Sequence, residues 1–226
     1  MNKNQKLIAG AASAAGVFGI LYAANVFKMR WHIPREYYKY KYKAEENLKH
    51  ECEALFIGDS ITWLYKLGKH YPGRDFVNRG ISGDRTYHIL SRCENTFEKI
   101  RAGKIVLLGG INDLGEGKSA YEVLVNLFKI IETAKMYNPE AEVFVESIYP
   151  VNNDGANKRH DTCTEKILEV NSVLKEKAEA LGYTYIDMFS VLKTENDGLE
   201  EAYTYDGLHP NEKGFEVITG VLEKYL

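Results

Sequence analysis

Four short stretches of the sequence carry side chains suited to chemistry, and the first is Gly58-Asp59-Ser60. A serine hydroxyl is a weak nucleophile alone; it needs a base, a group that orients the base, and donors for the oxyanion. Ser60 follows the apolar run Ala54-Leu55-Phe56-Ile57, which reads as a buried strand, so it stands at the C-terminal mouth where open α/β sheets place their chemistry. Near the chain's end lies Asp206-Gly207-Leu208-His209-Pro210. Three-residue spacing on a turn can point a carboxylate and an imidazole the same way, so Asp206 would fix the tautomer of His209 while His209 takes the proton of Ser60. Taken alone, the Asp-x-x-His pair also reads as a surface turn closing on Pro210. Two further loops offer oxyanion donors. In Asn78-Arg79-Gly80-Ile81-Ser82-Gly83-Asp84 the Gly83 amide can approach a ligand with no side chain in the way. In Gly109-Gly110-Ile111-Asn112-Asp113, Asn112 brings two neutral N–H donors. Each loop alone also fits a glycine turn followed by a helix N-cap. Together they assemble a triad in the order Ser60, Asp206, His209, with the Ser60 amide, Gly83 and Asn112 as oxyanion donors.

Positioning such a set requires strand ends along one edge. Apolar runs at 55–57, 76–77, 105–108, 143–145 and 183–186 alternate with helical periodicity near 63–70, 86–100, 119–137, 161–181 and 213–225. Strands alternating with helices mean a parallel sheet covered on both faces. Gly103, Asn138-Pro139 and Gly182 stand where helices should stop and the next strands begin. No internal repeat or low-complexity segment interrupts the pattern.

At 226 residues and 45% hydrophobic, the chain suits one domain of ordinary size, expected over 51–226. A formal net charge of -3 provides no field to recruit nucleic acid, so no nucleic-acid partner is expected. There is no Gly-x-x-x-x-Gly-Lys-Ser/Thr phosphate cradle, and Ser60 lacks the Gly-x-Ser-x-Gly elbow of α/β-hydrolases. Cys52, Cys93 and Cys163 are too few and scattered for a disulfide framework or a zinc site, and read as buried thiols.

Ahead of the domain, residues 1–6 form a short basic tail and residues 7–27 carry no charge. A helix of that length spans roughly 31 Å, the thickness of a bilayer core, and is expected to be a membrane anchor. The competing reading is a cleaved signal peptide, against which stand the length of the apolar run and the poor small-x-small sites near Ala23 and Ala24. Residues 28–50 interleave bases with Trp31, Tyr37, Tyr38, Tyr40 and Tyr42, as a stalk at a membrane surface would, or equally a solvated helix that packs its tyrosines on the domain. The catalytic domain is expected outside the cytoplasm, although bases flank both ends of 7–27 and the positive-inside rule leaves the side open.

The four blocks resemble those of the SGNH hydrolases, the GDSL-type esterases and lipases, whose blocks supply Ser, Gly, Asn and His; the resemblance covers roughly 51–226. It implies a flavodoxin-like three-layer α/β/α sandwich with a five-stranded parallel sheet in the order 2-1-3-4-5. It also implies no metal or other cofactor, and hydrolysis of acyl esters through a Ser60 acyl-enzyme. The loop Ser147-Ile148-Tyr149-Pro150-Val151-Asn152-Asn153 resembles a family loop lining the acyl or alcohol pocket, which makes Asn152 a candidate substrate contact. Arg85, beside Gly83, is a candidate contact for an anionic substrate, its competing reading being a surface ion pair. The function expected is hydrolysis of short-chain, O-acetyl-type esters on cell-envelope carbohydrate. A lysophospholipase or thioesterase at the membrane is the alternative, and an inactive binding module with the same fold stands as the non-enzymatic one.

Overall fold

The computed structural model describes residues 50–152 and 163–226. The expected anchor at 7–27 and all of the stalk except His50 lie outside the described residues. Among the described residues no helix is long and apolar enough to cross a membrane.

Five strands, β1 (His50–Gly58), β2 (Phe76–Gly80), β3 (Ile100–Leu108), β4 (Glu142–Glu146) and β5 (Thr184–Ile186), pair in parallel in the order β2-β1-β3-β4-β5. The expected sheet and its order are therefore present. Because successive side chains point to opposite faces, each strand feeds two cores. Leu55, Ile57, Ile105, Leu107, Val143 and Val145 face one side, where α3 (Thr86–Lys99), α5 (Ala120–Tyr137) and α6 (Thr164–Leu181) cover them. Ala54, Phe56, Val106, Leu108 and Phe144 face the other, under α1 (Ser60–Leu64), α2 (Leu67–His70), α7 (Met188–Leu192) and α8 (Glu212–Leu222). Each fully buried aliphatic side chain contributes roughly 1.5–3 kcal/mol to this three-layer arrangement. The helices present their apolar residues at helical spacing: Ile89, Cys93 and Phe97 on α3, and Val123, Leu127, Ile130 and Ile131 on α5. Ser119 starts α5 with a reciprocal capping box, its Oγ accepting from Glu122 N–H at 3.2 Å while Glu122 Oε2 accepts from Ser119 N–H at 3.0 Å.

Three boundaries differ from expectation. Gly103 does not separate a helix from a strand, because β3 begins at Ile100, directly after α3, and pairs with β1 from His50 onward. Ile100 and Ala102 are buried while Arg101 and Gly103 are not, a period-two pattern hidden in sequence by the small and charged residues that carry it. The helix expected near 63–70 is two short ones, broken at Tyr65 and Lys66. Of the three cysteines, Cys93 and Cys163 are buried as expected, whereas Cys52 is partly exposed near the start of β1.

The register fixes where the loops begin. Gly58 at the end of β1 lies opposite Gly80 of β2 on one side and Leu108 of β3 on the other, so the three following loops leave the sheet side by side. Helix α1 then presses directly on the end of β2: a Cβ on Gly80 would fall 2.2 Å from the Trp63 amide nitrogen. Only glycine lets the helix that begins at Ser60 sit this close to the sheet.

Candidate active site

Ser60 is the first residue of α1, a position set by its neighbour Asp59, whose Oδ1 accepts from Ile61 N–H at 3.0 Å and so caps the helix. Its Oγ lies 3.0 Å from His209 Nε2. His209 Nδ1 in turn lies 2.8 Å from Asp206 Oδ2. A carboxylate accepts only, so Nδ1 carries the proton and Nε2 is left to accept from the serine hydroxyl. The second oxygen of Asp206 accepts the backbone N–H groups of His209 at 2.8 Å and Leu208 at 3.1 Å, which locks the carboxylate against rotation. The turn that carries both residues is held by Thr204, whose Oγ1 donates to His209 O at 2.8 Å and accepts from Gly207 N–H at 3.0 Å. Asn152 N–H donates to Gly207 O at 2.8 Å and ties the loop after β4 to the same turn.

The expected oxyanion donors sit on the two neighbouring loops. Asn112 belongs to α4 (Ile111–Gly115), whose N-cap is Gly110, so its side chain is free of capping duty. Asn112 Nδ2 donates one hydrogen to Asp84 O at 2.9 Å and retains a second. Gly83 has φ +77°, a left-handed conformation costly for other residues, and no atom lies within 4 Å of where its Cβ would be. Among the described residues no hydrogen bond takes up the Gly83 N–H. The Ser60 N–H, at a helix start, has no intrahelical acceptor.

Two residues that hold these loops together went unnoticed in the sequence. Arg92 on α3 donates from Nε to Asp84 Oδ2 at 2.9 Å and from Nη2 to Gly58 O at 3.0 Å, joining the Gly83 loop to the end of β1, just ahead of Ser60. Its sequence signal is a charge set into the apolar stripe of Ile89, Cys93 and Phe97. Asp113, next to Asn112, accepts from Thr86 N–H at 2.8 Å and Thr86 Oγ1 at 2.7 Å, binding the Asn112 loop to the start of α3. The two tentative substrate contacts have neighbours within the protein. Arg85 pairs with Glu116 and donates from Nη1 to Gly83 O at 3.3 Å, the ion-pair arrangement that competed with its anion-binding reading. Asn152 turns its side-chain oxygen toward Gly198.

The sequence profile of the GDSL-like lipase/acylhydrolase family matches residues 56–217. The chain belongs to that family. Platelet-activating factor acetylhydrolase IB subunit alpha1 of Rattus norvegicus is 26% identical over 184 residues, which is 78% of this chain and 75% of that one. A solved structure from Streptococcus pneumonia, named for platelet activating factor, is 30% identical with a TM-score of 0.77, covering 91% of this chain and 98% of its own. A GDSL-like lipase from Bacteroides thetaiotaomicron shares the fold at 22% identity, with a TM-score of 0.70 over 83% of this chain and 96% of its own. As a GDSL-type acylhydrolase the protein is a hydrolase acting on esters.

Beneath the serine this GDSL-type hydrolase buries two further carboxyls. Burial raises Asp59 to about 7, against the Ile61 N–H and the His209 charge that lower it, and among the described residues its Oδ2 has no hydrogen-bond partner. Burial also raises Glu146 to about 7, against the hydrogen bond from Tyr149 that lowers it. For both, the folded state favours the neutral acid, so it holds more protons than the unfolded chain between the ordinary carboxyl range and about pH 7. Stability should fall as pH rises through that window and level off above it, by on the order of 3 kcal/mol for such a group. Glu146→Gln keeps an oxygen to accept from Tyr149 but cannot ionise. Its melting temperature relative to the unsubstituted protein should rise between pH 5 and pH 8; a difference independent of pH would show that Glu146 does not ionise at a cost.

Proposed function

We propose that the protein is a serine esterase that hydrolyses short-chain, O-acetyl-type esters through an acyl-enzyme on Ser60. The observation that carries this reading is the continuous line from Ser60 Oγ to His209 Nε2 at 3.0 Å and from His209 Nδ1 to Asp206 Oδ2 at 2.8 Å. Ser60 Oγ attacks the ester carbonyl as His209 Nε2 takes its proton; Asp206 stabilises the imidazolium that forms. The carbonyl oxygen, now negative, is met by the Ser60 and Gly83 N–H groups and by the Asn112 hydrogen not used on Asp84. His209 then returns the proton to the departing alcohol oxygen, and a water, deprotonated by the same nitrogen, releases the acid. All of these steps use groups of the chain itself.

A short acyl group is supported by the packing beneath the serine. Ile61, Leu108, Ile111, Ile148 and Leu208 close around Asp59 with no room even for a water molecule, so no channel for an alkyl chain opens there. The names of the acetylhydrolase relatives point the same way. We further propose that residues 7–27 tether the domain to a membrane with the catalytic side outside the cytoplasm; the uncharged run supports it.

On p-nitrophenyl esters from acetate to palmitate, turnover should be highest for acetate and decline with acyl length; equal cleavage of palmitate would overturn the short-acyl reading. Asn112→Ala should lower kcat roughly 10²–10³-fold with little change in KM, since the donor acts on charge present only in the transition state. An unchanged kcat with a lowered melting point would leave Asn112 a structural residue. For the tether, the full chain should stay with membranes through a carbonate wash; recovery in the supernatant with an N-terminus near Ala24 would show a cleaved signal instead.

A further inference from the structure

A groove of about 650 Å³ is lined by His209 together with Trp63, Leu64, Pro210 and Phe215. Its place matters because the leaving alcohol must receive its proton from His209 Nε2, so the remainder of that alcohol extends past the imidazole ring. The groove is also preformed. Phe215 stacks on Tyr65 with ring centroids 5.1 Å apart, and Tyr65 is fixed in turn by hydrogen bonds between its hydroxyl and the hydroxyls of Tyr71 at 2.9 Å and Thr219 at 2.7 Å. A floor held this way does not collapse to fill the space when it is empty.

Of the polar side chains around the groove, Asn211, Glu212 and Asp206 are occupied by the protein itself, while Lys66, His70 and Tyr205 also line it. Asn211 donates from Nδ2 to Ala202 O and Thr204 O and accepts at Oδ1 from Gly214 N–H. Glu212 pairs with Lys69, and Asp206 holds His209. A sugar ring needs a set of unengaged donors and acceptors to replace its water, because every hydroxyl buried without a partner is costly. Most of what the groove presents is aromatic and aliphatic surface.

Building on the esterase reading above, we propose that this groove is the alcohol subsite, and that the physiological substrate is a short-chain ester of an apolar alcohol, alkyl or aryl, rather than of the carbohydrate expected from the sequence. Trp63, three residues beyond the nucleophile on the same helix, is the specificity-determining side chain: it moves with Ser60 and forms a wall of the groove.

Ethyl, butyl and hexyl acetate share one acyl group and nearly one leaving-group basicity, so differences among them report contact with the alcohol chain. The expected result is a kcat/KM that rises with chain length, by up to about fourfold per methylene buried. Trp63→Ala should flatten that rise, read as the hexyl-to-ethyl ratio within each protein, which cancels any loss of folded enzyme. A flat series in an enzyme that cleaves p-nitrophenyl acetate, or preference for an acetylated sugar over hexyl acetate, would overturn the subsite and leave the esterase reading standing. A second measurement does not depend on turnover: titration of the Ser60→Ala protein with 1-octanol should give a saturable change in tryptophan emission that is lost in Ser60→Ala/Trp63→Phe. Saturable binding without hydrolysis of any ester would keep the groove and remove the esterase reading; no saturable change would count against the groove.

Discussion

Ser60 Oγ and His209 Nε2 lie 3.0 Å apart across a sequence separation of 149 residues, and most of the fold around the site serves to hold that contact. A local hydrogen bond would need only a turn; this one needs the end of β1 and the turn before α8 to meet at one sheet edge. The β1–β2 and β1–β3 registers set the first half of that geometry, because they start three loops from adjacent residues Gly58, Gly80 and Leu108. The second half comes from the Thr204 bonds within the His209 turn and from the Asn152 N–H that fastens it to the loop after β4. Precision of this kind is what general-base catalysis by a serine–histidine pair demands, since hydrogen-bond distance decides whether the proton moves with the attack.

Electrostatic arrangement extends beyond the triad. The Gly83 and Asn112 loops are joined to each other by Asn112 Nδ2 on Asp84 O, to β1 by Arg92, and to α3 by Asp113 on Thr86. Donors fixed in advance do not have to reorganise as charge develops on the carbonyl oxygen, and that is the source of their effect. Against this, Asp59 and Glu146 are carboxyls kept in a low-dielectric interior where the ionised form is disfavoured. Asp59 caps the helix that begins with Ser60, so the site carries a cost in stability at the position that orients its nucleophile.

Much of this was legible in the sequence, for physical reasons that differ from part to part. The parallel sheet was readable because Ala54–Ile57, Ile105–Leu108 and Val143–Val145 are buried on both faces and so appear as unbroken apolar runs. The start of β3 was not, because Arg101, Gly103 and Lys104 on its half-exposed end imitate a helix terminus and turn. Ser60, Gly83, Asn112, Asp206 and His209 could be singled out as candidates from residue type and spacing at strand ends, and the contacts among Ser60, His209 and Asp206 bring three of them together. Arg92 and Asp113 could not, since their partners Gly58 O, Asp84 and Thr86 are set by folding rather than by spacing. The alcohol groove was hidden for the same reason: Trp63 and Phe215 lie on helices at opposite ends of the domain's sequence, and only packing brings them to one wall.

The central claim, that His209 and Asp206 activate Ser60, is tested most directly with diethyl p-nitrophenyl phosphate, whose phosphoryl group is attacked as an ester carbonyl is but leaves a stable adduct. The serine Oγ–phosphorus bond forms as p-nitrophenolate departs, so release reports the attack and peptide mass locates it. The account predicts one p-nitrophenolate per chain, the diethylphosphoryl group on Ser60, and a labelling rate that drops by at least about a hundredfold in His209→Ala. Labelling at another residue, or a Ser60 rate indifferent to the loss of His209, would contradict it.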